Sequence, residues 1–106
     1  MATSRARITR ARLTNNIAYF ETLAAENYQI GESVTTSGCS TSALNATGTV
    51  LQSGLIEYSP SGGTPENWSG ISISITNADI PVETEPATAY ITSAFGVGNT
   101  VPGLID

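Results

Sequence analysis

The clearest periodicity in the chain is a two-residue one: Ile71-Ser72-Ile73-Ser74-Ile75-Thr76 alternates isoleucine with hydroxyl without a break. Such alternation sends successive side chains to opposite faces of a strand, one buried and one wet. Residues 87–95 repeat it, with Ala89, Ile91, Ser93 and Phe95 on one face and Thr88, Tyr90, Thr92 and Ala94 on the other. Residues 47–58 carry β-branched and aromatic side chains, with Gly48 and Gly54 marking bulges or ends. A weaker strand is expected at 33–37, and an edge strand at 80–86, where Pro81 and Pro86 break the ladder. Breaker-rich segments at 38–42, 59–67 and 77–79 connect these runs as loops and turns.

One segment has a different period. Leu13, Ile17, Phe20, Ala24 and Tyr28 recur at spacings of four, three, four and four, with Leu23 beside them and Glu21 and Glu26 away from the stripe. That spacing predicts an amphipathic helix over about 13–28, stopped at Gly31. A helix followed by strands with no helix between them gives an α+β, mainly β fold. The expected architecture is one N-terminal helix packed on a small antiparallel sheet or sandwich of five to six strands. Extended N- and C-terminal arms complete it. The chain then divides into a basic arm (1–12), a helix-plus-β core (13–95) and a Gly/Pro-rich tail (96–106).

Charge sharpens the first boundary. All four positive charges, Arg5, Arg7, Arg10 and Arg12, precede all nine negative ones, and the net charge is −5. Asymmetry of this kind marks an interaction segment. At helical spacing the four arginines share no face. On a regular strand Arg5 and Arg7 face one way, Arg10 and Arg12 the other. The residues therefore predict an arm gripped from more than one side, or a solvated, disordered terminus. Twelve extended residues reach about 40 Å, and arginine matches carboxylates with a two-pronged fork. A subunit-contact arm seated on the acidic body of a neighbour satisfies both facts, whereas that acidic body argues against direct nucleic-acid binding.

Chemistry is narrowed by subtraction. With no histidine and no lysine in the chain, the usual activators of a nucleophile are missing. Cys39 lies in Gly-Cys-Ser with no cation near it in sequence. Aspartate occurs only at 79 and 106, so no calcium loop is present. Glu83 and Glu85 share a face if extended, but their flanking prolines suggest an exposed edge where charge blocks unwanted pairing. Neither a metal site, a cofactor nor an enzymatic role is expected. Tyr58 and Trp68 flank the 59–67 loop and are candidates either for a ligand-contact platform or for a hydrophobic staple closing it.

Composition supplies the remaining context. Serine and threonine make up 27 of the 106 residues, while the segment after Arg12 is too polar for the apolar core of an export signal. No apolar run is long enough to span a membrane. A polar-neutral, lysine-free coat without a visible export signal suits a particle subunit. The expectation is a structural assembly protein, a small virion subunit of a tailed bacteriophage: a capsid decoration or cement protein, a connector or a tail component. It is made in the host cytoplasm and tied by its arms to other copies or other virion proteins. The alternative is a secreted or cell-surface binding module for a glycan or protein, pilus and filament subunits included.

Overall fold

The computed structural model describes residues 4–23, 28–58 and 66–93. Its regular elements are seven strands: β1 (Ser4–Thr14), β2 (Ile17–Thr22), β3 (Ser33–Ser37), β4 (Thr47–Tyr58), β5 (Glu66–Ser74), β6 (Ile80–Thr84) and β7 (Tyr90–Ser93). A single 3-10 turn, Ser42–Leu44, lies between β3 and β4. All pairings are antiparallel. The order β1-β2-β5-β4-β3-β7 returns to β1, so six strands close into a barrel and β6 is an extra strand.

This closed barrel corrects the expected α+β architecture. Among the described residues no long N-terminal helix is present. In place of its first turns, β1 runs into β2 through a two-residue hairpin at Asn15 and Asn16, whose φ angles are 53° and 62°. Positive φ at both central positions is the signature of the tight hairpin turn whose twist matches the flanking strands, and asparagine tolerates it better than most residues. The turn is tied down from outside. Asn15 N–H donates to Asp79 Oδ1 (3.1 Å), Asn77 N–H donates to Asn16 Oδ1 (3.2 Å), and Ile75 N–H donates to the Asn16 carbonyl (3.2 Å). Residues 24–27, the later part of the expected helix, lie outside the described residues, as does the expected 96–106 tail.

The N-terminal arm is corrected in the same way: from Ser4 onward it is a barrel strand. On one edge β1 pairs with β2 from Ile8 to Thr14. Along the opposite edge it pairs first with β7, from Ser4 to Arg7, and then with β6, from Arg10 to Leu13. Between those stretches Ile8 N–H donates to the Ala89 carbonyl and Glu85 N–H donates to the Thr9 carbonyl, each at 2.9 Å.

The core follows the two-residue period. Ala6, Ile8, Ala11 and Leu13 of β1, Ala18 and Phe20 of β2, Val34, Val50, Ile71, Ile73 and Ile91 fill the interior. Ile56 and Trp68, with Tyr19 against them, form a second cluster on the other side of the β4–β5 ladder. One glycine is dictated by close approach. Gly70 sits between Glu21 of β2 and Gly54 of β4, and a Cβ there would lie 1.9 Å from the Phe20 carbonyl oxygen.

Candidate functional site

The alternation in β1 is interrupted once. Ile8 pairs with Thr22 and Arg10 with Glu21, so Thr9 is an extra residue, a β-bulge. Without it the strand would read Arg-Ala-Arg-Ile-Arg-Ala-Arg-Leu in strict alternation. The bulge absorbs the phase change, and Arg5, Arg7, Arg10 and Arg12 all project from the face opposite Ala6, Ile8, Ala11 and Leu13. The four arginines expected on two faces of a strand therefore form one stripe on the outside of the barrel.

The two halves of the stripe differ in their partners. Arg10 forms a fork with Glu21, Nε to Oε1 and Nη2 to Oε2, both at 2.8 Å, while Thr9 Oγ1 donates to Glu21 Oε1 at 2.9 Å. These contacts, led by the Arg10 hydrogen bonds, hold the Glu21 carboxyl below its ordinary value despite partial burial. The Arg10 guanidinium also lies over the Trp68 ring, 4.7 Å from its centroid. Arg12 donates to Thr14 Oγ1 at 2.6 Å. The other half lies against Tyr90, with Arg7 half-buried. Arg5 is exposed and stacks 4.0 Å from the centroid of Tyr90, and Arg7 pairs across the ladder with Tyr90. Among the described residues neither Arg5 nor Arg7 meets a carboxylate, the one ion pair being Arg10–Glu21.

Next to Arg5 and Arg7 the outer surface continues as hydroxyls. The registers set Arg5 beside Thr92, Thr92 beside Thr35, and Thr35 beside Thr47, one transverse row across β1, β7, β3 and β4. Thr35 and Thr47 share a 2.9 Å hydroxyl–hydroxyl bond. Tyr90 and this row were not candidates in the sequence. Their two-residue spacing places Tyr90 and Thr92 on one face, but not beside β1.

Trp68 is buried at 2 % exposure and its ring carries Arg10, so the indole works as part of a packed cluster. Tyr58 ends β4 opposite Glu66; its side chain and the 59–65 connection lie outside the described residues. Replacing Arg10 by alanine removes both the Glu21 fork and the cover on the only tryptophan. An emission shift to the red and a loss of about 1 kcal/mol are expected, read by fluorescence during denaturant unfolding.

A second polar constellation lies on the opposite side of β1. Glu83 pairs with Ala11 and so faces the interior side, and Glu85, two residues on, is only 4 % exposed. The expected solvent-facing acidic edge is therefore corrected: β6 is an extra strand at the barrel's rim, but its carboxyls turn inward. They receive the 38–41 loop. Ser40 N–H donates to Glu85 Oε1 at 2.7 Å, and Thr41 Oγ1 donates to Glu83 Oε2 at 2.7 Å. The Asn45 side chain brackets Cys39, accepting from its N–H (2.8 Å) and donating to its carbonyl (3.3 Å). Burial, then the charges of Glu85 and Glu83, push the Cys39 thiol up to about 12, which keeps it protonated and poorly nucleophilic.

Among the described residues no group of three or more histidine, cysteine, aspartate or glutamate side chains is placed to hold a metal ion. No described helix is long and apolar enough to cross a membrane. No family model, curated protein or solved structure matches the chain.

Proposed function

We propose that the chain is a structural assembly subunit, a small virion component of a tailed bacteriophage, whose contact surface is the outward face of β1 and β7. The observation that carries this reading is the Thr9 bulge. It gathers every positive charge of the chain on one outer stripe and leaves Arg5 and Arg7 facing outward beside Tyr90, with no carboxylate of their own among the described residues. A guanidinium so placed attracts an anionic partner, and the nearest abundant anions are the carboxylates on other copies of this acidic chain or on neighbouring particle proteins. The hydroxyl row of Thr92, Thr35 and Thr47 supplies neutral hydrogen-bonding groups alongside. The contact is made by a rigid barrel face in place of a flexible arm, so less ordering entropy is lost on docking.

The reading supports a mechanical role with no catalytic step and no cofactor. Its lysine-free, Ser/Thr-rich composition favours a particle component. The alternative of a secreted or cell-surface binding module relied on Tyr58 and Trp68, and a buried indole offers no open ring for a ligand to stack on. The test is solution mass as a function of protein concentration. Association is expected at low salt and dissociation at high salt, since the contact is electrostatic and solvent-accessible at its rim. A concentration-independent monomer at every salt, with natural partners present, removes the proposal.

A further inference from the structure

We propose that Glu85 holds a proton that it donates to the Glu83 carboxylate, and that this proton latches β6 and the 38–41 loop to the barrel, so that the latch loosens as pH rises. The geometry is that of two carboxyls brought together with too few donors. Glu83 Oε2 and Glu85 Oε1 accept from Thr41 and Ser40. Glu83 Oε1 and Glu85 Oε2, the remaining oxygens, are buried and have no hydrogen-bond partner. Two buried acceptors on residues two apart in the chain, each lacking a donor, are satisfied together by one proton held between them.

Among the described residues neither carboxyl is part of an ion pair. The 38–41 loop contributes the Cys39 thiol and the hydroxyls of Ser40 and Thr41; β1 contributes the Thr9 carbonyl and Ala11. Arg10, opposite Thr84, belongs to the outward face, where Glu21 occupies it. At the start of the 38–41 loop, Thr88 Oγ1 donates to the Gly38 carbonyl at 3.2 Å. Consistent with this, burial first and the Glu83 carboxyl second hold the Glu85 carboxyl above its ordinary value, with the Ser40 amide opposing them.

The sign of the effect is opposite to ordinary acid denaturation. A carboxyl whose folded-state value is raised stabilises the fold fully below its unfolded value of about 4.5, and that stability is lost as pH rises through the folded value. Each pH unit within the window lowers the folded-to-unfolded ratio by up to about tenfold.

The experiment is thermal unfolding of the full chain from about pH 5 to about pH 8, for the wild type and for Glu85→Gln. The glutamine amide donates permanently where the shared proton sits. The wild-type midpoint is expected to fall across the window, while Glu85→Gln stays flat and equals or exceeds the wild type at the upper end. Should Glu85→Gln fail to fold, carboxyl carbon NMR of the wild type decides: one titration midpoint above the usual carboxylate range supports the latch. Two midpoints in the ordinary range, or a wild-type stability that holds or climbs across the window, overturn it. A saturable rise of the midpoint on adding calcium at high pH also overturns it, by putting a cation in the proton's place.

Discussion

Replacing Gly70 by alanine is expected to destabilise the barrel by about 4 kcal/mol or more, a large share of the roughly 5–15 kcal/mol that holds a domain folded. The added Cβ would lie 1.9 Å from the Phe20 carbonyl oxygen and 2.9 Å from its carbon. Both are backbone atoms, so no side-chain rotation relieves the contact. Gly70 is also central to three strands, paired with Glu21 on one side and Gly54 on the other. Relief therefore requires β2 to move away from β5, which opens the barrel at that ladder. Denaturant unfolding followed by Trp68 fluorescence measures the loss. A cost below about 1 kcal/mol would mean that β2 and β5 are not in this register.

Phe20→Ala is the second large effect, with an expected cost of about 3–5 kcal/mol. Phe20 is fully buried and faces the interior with Ala11, its partner across the β1–β2 ladder. Truncation leaves a void that the closed barrel collapses around poorly, because every wall strand is fixed by two neighbours. The same denaturant series measures it. Tyr19→Ala, one residue away and half-buried on the outer face, is the internal comparison and is expected to cost less.

These two residues also show what could be read in the sequence and what could not. Of the residues read as a helical stripe, Leu13, Phe20 and Tyr28 are buried, while Ile17 is half-buried and Leu23 is exposed. A stripe with spacings of three and four and a strand–turn–strand with its own alternation select overlapping residues, so burial alone does not distinguish them. The deciding feature was Asn15-Asn16, two residues that accept positive φ between two apolar-alternating runs. The β1 alternation itself was hidden by one inserted residue, Thr9, which shifts the phase so that the arginines seem to face two ways. Strands over 33–37 and 47–58 were legible because their pairing is local and their ends carry breakers.

Barrel closure was not legible. It depends on β2 meeting β5 and β3 meeting β7, pairings between segments far apart in the chain, and periodicity carries no information about partners. The acidic pair was legible in part. The spacing of Glu83 and Glu85 correctly puts them on one face, but the prolines around them speak only of an edge. β6 is such an edge, and its inward side is nonetheless closed by a loop from residues 38–41. The same limit applies to the contact face. Arg5 and Arg7 stood out by charge, while Tyr90, Thr92, Thr35 and Thr47 join them only through the sheet order.

The measurement that bears most directly on the assembly reading is the solution mass of the wild type and of the Arg5→Glu/Arg7→Glu double variant, run side by side at low salt across a range of concentrations. Both side chains project outward from a strand whose interior face is untouched by the change, so the variant keeps its fold, as far-ultraviolet circular dichroism will verify. The wild type is expected to grow heavier with concentration while the folded variant stays monomeric. Equal masses for the two proteins at every concentration would contradict it.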